Sequence, residues 1–309
     1  MKRTLISCRQ QTQWRVTSPS SKHHARVRNL PRNILLLRHG QSLGNVDEHL
    51  FATTPDWKIP LSERGKAQAR DAGLRIKKIV GDAPLAIYVS PYRRTKETLQ
   101  EVLPVLPNHP ILFTREEPRL REQDFGNFQD PERIQQAKKE RPQFGRFFYR
   151  FPDGGESGAD VFDRVSAFSG TFLRDMTQIS ENRGPPPLEG DDDPEAMEYY
   201  KMHDVDNATA LFVTHGITAR LFLMRWLHWT VEEFEELHNP PNCGLLHLQK
   251  KPDGTGYRLT DACRELIRGP EQSGGAMKLG DILADQRRRE MTRTDRAAFD
   301  ALAENAWGM

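Results

Sequence analysis

Hydrophobic positions in this chain gather in short runs, and the stretches between them space their apolar residues as helices do. Ile34-Leu35-Leu36-Leu37 and Ala210-Leu211-Phe212-Val213 are continuous apolar runs, as expected of strands buried on both faces of a parallel sheet. The pattern predicts strands at Asn33–Leu37, Leu85–Val89, Ile111–Thr114, Ala208–Thr214, Leu245–Gln249 and Tyr257–Thr260. After a loop to Pro60, Ser62 reads as an N-cap, with Glu63 in the first turn of a helix reaching Val80. Ser90-Pro91 reads as cap and first helical residue of a helix running towards Leu103. Pro131–Tyr149 is predicted helical, and Ser157 with Asp160 forms a capping box for a helix reaching Ile179. Further helices are expected at Ile217–His228 and, capped by Thr230 with Glu233, just beyond it. This alternation predicts an α/β fold: a three-layer sandwich, with a mostly parallel central sheet and helices on both faces.

Within the helix predicted at Pro131–Tyr149 and just past it, Phe144, Phe147, Phe148 and Phe151 follow i, i+3, i+4, i+7 spacing. That is the stripe of a helix packed into a core, with a substrate lid as the alternative. Arg141, Arg146 and Arg150 interleave with it, and any of them is a candidate to meet an anionic leaving group.

Composition divides the 309 residues. Residues 1–32 carry eight Lys/Arg and no acidic residue, the first being Asp47. Taking those eight from 45 basic residues leaves 37 against 43 acidic ones, so the remainder of the chain stands at −6. A body of that sign gives no reason to expect nucleic-acid binding. The head is also rich in Ser and Thr and lacks a continuous apolar segment. It reads as an organellar transit peptide, plastid favoured over mitochondrion, or as a basic tail on a cytoplasmic protein. One domain is expected over 33–265, interrupted by an acidic surface insertion at 180–207 and followed by a peripheral tail at 266–309. Three cysteines without a C-x-x-C pair argue against a disulfide framework and a structural zinc site. The most apolar segment, Ile217–Trp229, is interrupted by Arg220 and Arg225, so no membrane span is expected. Nothing in the sequence bears on oligomeric state.

Two of the predicted strands end in His-Gly, at His39-Gly40 and His215-Gly216. In open α/β sheets the ligand crevice lies just beyond the carboxyl ends of the strands. Arg38 precedes the first histidine, so the pair suggests a phosphate site. Neutral imidazole is a good nucleophile towards phosphorus, and a guanidinium fork suits phosphoryl oxygens. Gly40 allows the backbone to approach the phosphate closely.

The run Arg38-His39-Gly40-Gln41-Ser42-Leu43-Gly44-Asn45 resembles the R-H-G-x-S-x-x-N signature of the histidine phosphatase superfamily. Ser90-Pro91-Tyr92-Arg93-Arg94-Thr95 is similar to that family's second block, where an arginine at a helix start binds phosphate. By register this is Arg94, with Arg93 the alternative. Leu120-Arg121-Glu122-Gln123-Asp124-Phe125-Gly126 resembles the segment whose glutamate donates the proton, and Thr214-His215-Gly216 supplies the second histidine. Within the superfamily, Arg121–Gln129 and Phe144–Pro152 look most like plant phosphoglycerate-mutase-like proteins and the fungal broad-range acid phosphatase.

The resemblance implies a phosphomonoester hydrolase acting on small molecules without metal or cofactor. His39 would be the nucleophile and Glu122 the proton donor and acceptor. His215 would stabilise the transition state, with Arg38, Asn45, Arg94 and Gly216 binding the phosphoryl group. A phosphoglycerate mutase is the first alternative. Mutases of the family carry a long insertion before the G-E-S segment, here Gly155-Glu156-Ser157, and fewer than thirty positions separate Gly126 from Gly155. A non-catalytic phosphate-binding scaffold is the second. A metal-dependent hydrolase is disfavoured, because Arg38 and Arg94 would repel a divalent cation.

Overall fold

Alternate residues of the central strands face opposite helical layers, which is what a period-two backbone buried on both sides requires. The computed structural model of the chain describes residues 29–267, apart from positions 128, 185–192 and 255. Its core is a six-stranded sheet ordered β3-β2-β4-β1-β5-β6. The strands are β1 (Asn33–Arg38), β2 (Leu85–Val89), β3 (Ile111–Glu116), β4 (Thr209–Thr214), β5 (Leu245–Lys250) and β6 (Tyr257–Leu259). β1, β2, β3 and β4 run parallel, while β5 and β6 continue the sheet antiparallel, so it is mixed.

Leu35 and Leu37 of β1 face α1 (Glu63–Val80) and α2 (Arg93–Val102) in one apolar cluster. Ile34 and Leu36 face α4 (Gly158–Asn182) and α6 (Gly216–Leu227) in the other. In chain order α3 (Pro131–Phe144) precedes α4, α5 (Pro194–Met202) precedes α6, and α7 (Val231–Glu235) and α8 (Asp261–Ile267) follow. The capping boxes at Ser157/Asp160 and Thr230/Glu233 are both formed. A small third cluster, Ala137, Tyr149 and Phe151 with Phe125 and Ile134, lies apart from both main cores.

Several expectations are corrected. Tyr92, not Ser90, occupies the N-cap of α2, which starts at Arg93. Ser90 is drawn away because its hydroxyl meets His215, while Thr95 Oγ1 donates to the carbonyls of Ser90 and Tyr92 at 2.9 and 2.6 Å. The helix expected to reach Tyr149 stops at Phe144, because Gly145 adopts φ +78°, a conformation costly for other residues. The phenylalanines therefore form no single stripe. Phe147 and Phe151 are buried, whereas Phe144 and Phe148 are each 62% exposed.

The insertion at 180–207 is helical at both ends, since α4 continues to Asn182 and Asp193 caps α5. Its centre, 185–192, lies outside the described residues, as do the basic head over 1–28 and the tail from 268. Residues just outside the expected domain limits belong to the fold. Tyr257 donates its hydroxyl proton to the Pro31 carbonyl, and Ile267 is fully buried. Among the described residues, no helix is long and apolar enough to cross a membrane.

Candidate active site

β1 and β4 lie side by side with Arg38 opposite Thr214, so the residues that follow them, His39 and His215, meet at one edge of the sheet. Their ring centroids are 5.2 Å apart. The His39 amide donates to the Thr214 carbonyl at 3.0 Å, and the His39 carbonyl accepts from Cys243 and from the Asn242 side chain. The His39 ring is pinned through Nδ1, 2.7 Å from the Gly40 carbonyl. A carbonyl can only accept, so Nδ1 carries the proton and Nε2 keeps its lone pair. Burial, then Arg94 and Arg38, holds this imidazole well below its ordinary value of 6.5, so it is neutral at pH 7. A side chain at Gly40 would overlap the Gly65 carbonyl, and the Gly40 amide donates to Thr98 Oγ1 at 3.0 Å.

His215 is completely buried, and burial together with Arg94 and His39 lowers it in the same direction. Its Nε2 lies 2.9 Å from Ser90 Oγ, at the end of β2. Its Nδ1 has no hydrogen-bond partner and stands 3.6 Å from Glu122 Oε2. The Ser90 hydroxyl also accepts, at 3.4 Å, from the Tyr92 amide, and it can donate its own proton to Nε2 in the tautomer that carries the ring proton on Nδ1. Gly216 opens α6, where a Cβ would come within 2.6 Å of Asn239 Oδ1.

Glu122 hangs from an irregular loop whose backbone carbonyls are held from two helices and a strand. Thr214 and Thr218 hydroxyls donate to the carbonyls of Leu120 and Arg121, both at 2.8 Å. Arg164 of α4 donates to the carbonyls of Arg119, Arg121 and Glu122 at 2.6, 3.0 and 3.0 Å. The same guanidinium grips both carboxylate oxygens of Glu156 at 3.0 Å, and Arg121 pairs with Glu156 as well. The Glu156 amide donates to the Asp124 carbonyl at 2.8 Å, bringing the two ends of the 126–155 excursion together. Burial raises the Glu122 carboxyl above its ordinary value of 4.5; Arg94 opposes this and Asp56 adds to it.

Arg94 is buried, donating to both carboxylate oxygens and the carbonyl of Asp56, with its guanidinium over the Tyr92 ring. It is the charge that most depresses both imidazoles. Arg93 points outward to Glu97 at 2.7 Å, so Arg94 is the one at the site. Arg38 donates to the Pro240 carbonyl at 2.6 Å, and its buried Nε has no partner. Asn45 closes a capping box with Ser42, and its Oδ1 also accepts from Asn242 at 3.2 Å, which leaves the NH2 end to donate. The seven predicted site residues are thus gathered at the carboxyl ends of the parallel strands.

Sequence reasoning passed over Asp56, Arg164 and Asn242, and it read Ser90 only as a cap. None carries a local mark. Asp56 opens a three-residue 3-10 turn in a stretch whose sequence shows no periodicity, and Arg164 looks like any cation on the polar side of a helix.

One donor atom each of His39, Glu122 and His215 lies within 4.8 Å of the others, a spread a metal ion can bridge. The adjoining Arg38 and Arg94 instead favour an anion. An open hollow of about 900 Å³ lies at the opposite end of the sheet, lined among others by Asn33, Lys78, Asp82, Lys201 and His247. Its charges are of both signs, and it does not touch the histidine pair.

Residues 34–178 match the family model described as histidine phosphatase superfamily (branch 1). The phosphoglycerate mutase-like protein AT74H of Arabidopsis thaliana is 45% identical over 226 residues, covering 69% of this chain and 72% of the relative. The broad-range acid phosphatase DET1 of Saccharomyces cerevisiae is 28% identical, over 71% of this chain and 85% of the relative. A solved mycobacterial glucosyl-3-phosphoglycerate phosphatase shares the fold, with a TM-score of 0.52 at 23% identity, over 74% of this chain and 96% of that one.

Proposed function

Because the chain belongs to the histidine phosphatase superfamily, we propose that it hydrolyses small phosphomonoesters through a phosphohistidine at position 39, without a metal. The observation that carries this reading is the pairing of a neutral His39, its Nδ1 committed to Gly40, with a Glu122 carboxyl that burial raises above its ordinary value of 4.5, 3.6 Å from His215. The first shift favours the nucleophilic form of His39 and the second the proton-donating form of Glu122.

In the first step His39 Nε2 forms a bond to phosphorus while the ester P–O bond breaks. Glu122 transfers its proton to the departing oxygen, and the phosphoryl group resides on the imidazole. In the second step water attacks phosphorus and gives its proton to Glu122. The P–N bond breaks, and His39 and Glu122 return to their starting forms. Throughout, Arg38, Arg94, the Asn45 amide and His215 Nδ1–H donate to the phosphoryl oxygens, with Gly216 at the start of α6 leaving them room.

The yeast relative's name as a broad-range phosphatase supports hydrolysis. The brevity of the chain between Gly126 and Gly155 does so too, since a mutase must shield its phosphoenzyme from water. Mutase activity is the second reading, favoured by the Arabidopsis relative's name.

The test follows phosphate release from an aryl phosphate, and 3- to 2-phosphoglycerate interconversion in parallel, with turnover quenched in alkali to trap the labelled enzyme. An acid-labile label on His39, loss of turnover in His39→Ala and indifference to chelators are expected. A label on another side chain, or turnover in His39→Ala, would overturn the mechanism. Interconversion as fast as hydrolysis would decide for the mutase.

A further inference from the structure

The chain leading from α7 into β5 touches the residues of the phosphoryl cradle in turn. The Asn239 carboxamide lies against Gly216, the Pro240 carbonyl accepts from Arg38 at 2.6 Å, and the Cys243 amide donates to the His39 carbonyl at 3.1 Å. The backbone is stiff where these contacts are made. Pro240 and Pro241 fix their own φ, and the Gly244 amide closes a turn on the Pro241 carbonyl at 2.7 Å. Cys243 adopts φ +54°, a left-handed conformation that a residue with a Cβ takes only at a cost. Arg75 of α1 holds it there, donating to the Cys243 carbonyl at 2.8 Å. Strain of this kind persists only where the surroundings over-determine it, and it gathers at functional sites.

This segment brings the side chain of Asn242 to the site. Its NH2 group has two hydrogens, and it meets two acceptors: the His39 carbonyl at 3.3 Å and Asn45 Oδ1 at 3.2 Å. These partners lie 203 and 197 positions away in the chain. Asn45 Oδ1 also accepts from the Ser42 amide, at 3.1 Å. An amide oxygen has two lone pairs, so both are then occupied, and the Asn45 carboxamide can neither flip nor swing without losing a bond. Its NH2 end is the one left to donate. The His39 carbonyl, by contrast, keeps the Cys243 amide whether or not Asn242 is present. What depends on Asn242 is the setting of Asn45.

We propose that Asn242 is a positioning residue for phosphoryl transfer: it locks the Asn45 amide in its donating orientation, in register with the backbone of His39. This rests on the hydrolase reading, in which His39 takes the phosphoryl group and the Asn45 amide holds its oxygens. Asn242 acts through Asn45 and not on the substrate, so its contribution exists only while Asn45 is there to be held.

Kinetic coupling in the full-length enzyme tests this, with phenyl phosphate as substrate and orthovanadate, a mimic of five-coordinate phosphorus, as inhibitor. Asn242→Ala and the isosteric Asn242→Asp are each made alone and on Asn45→Ala. Asn242→Ala alone is expected to lower kcat/KM about 3- to 10-fold and to weaken orthovanadate inhibition by the same factor, the size of one lost hydrogen bond. Asn242→Asp should cost more, about 10- to 100-fold, because a carboxylate draws the Asn45 NH2 to itself and turns Oδ1 towards the phosphoryl group. On Asn45→Ala both penalties should shrink, that of Asn242→Ala to less than about twofold. Equal losses in the two backgrounds, as a purely structural role would give, or no loss from either Asn242 variant, would overturn the proposal and leave the hydrolase reading standing. An Asn45→Ala enzyme as active as its parent would also overturn it, because the amide being positioned would then do nothing. A wild-type enzyme inert towards phenyl phosphate would instead strike the hydrolase reading, and this proposal with it.

Discussion

Asp56 holds Arg94 through both carboxylate oxygens, at 2.6 and 3.4 Å, so an anion is built into the cationic cradle of the phosphoryl group. The ion pair fixes a guanidinium that would otherwise sample many rotamers. The carboxylate also pushes Glu122 towards its protonated form. In Asp56→Asn the Glu122 carboxyl should therefore titrate lower, and the alkaline limb of kcat should move to lower pH. We expect kcat/KM to fall about tenfold as Arg94 loses a charged hydrogen bond. Steady-state pH profiles of the two enzymes check this, and an unmoved alkaline limb contradicts it.

The directions of the two active-site shifts set the working pH. His39 must be neutral to attack, and its pKa is held well below 6.5, so the acidic limb lies below that value. Glu122 must be protonated to donate, and its pKa is raised above 4.5, so activity falls as pH climbs through the raised value. The kcat profile should accordingly be bell-shaped, with its acidic limb below 6.5 and its alkaline limb above 4.5. A kcat profile still rising above pH 8 would be incompatible with this assignment.

Ser90 Oγ is the hydrogen-bond partner of the buried His215 Nε2, so Ser90→Ala should weaken transition-state binding without disturbing the sheet. Loss of one buried hydrogen bond predicts a kcat lower by about tenfold. Nitrogen NMR of the His215 ring should then show a distribution of the proton between Nδ1 and Nε2 that differs from that of the parent protein.

Arg164 spends its guanidinium on three carbonyls and two carboxylate oxygens, a task that needs a planar fork. Arg164→Met should destabilise the fold by about 3 kcal/mol, as breaking a buried pair does, with kcat falling more than KM rises. Urea unfolding and steady-state kinetics measure both. Arg164→Lys should recover little, because an ammonium cannot span those acceptors.

How far the sequence reaches depends on the range of the interaction. Central strands were legible because continuous apolar runs such as Ile34–Leu37 have few other solutions. Capping boxes at Ser157 and Thr230 were legible because they close within three residues. Ser90 misled for a long-range reason: a side chain 125 positions away competes for its hydroxyl. The phenylalanine spacing misled because one glycine, Gly145, ends the helix that would have given it meaning. Arg93 and Arg94 separate only when Asp56, from a stretch without periodicity, takes one of them inward. Single-residue chemistry was thus readable in the motifs, whereas the partners that hold those residues in place come from elsewhere in the chain.

The hydrogen bond between the Glu156 amide and the Asp124 carbonyl ties off the intervening thirty-odd residues at their neck. Inside that closure, Ala137, Tyr149 and Phe151 keep an apolar knot of their own. Such a segment is a replaceable cassette. Exchanging it would leave intact the hydrogen bonds that hold the Glu122 loop, because Arg164, Thr214, Thr218 and the carbonyls they grip all lie outside it.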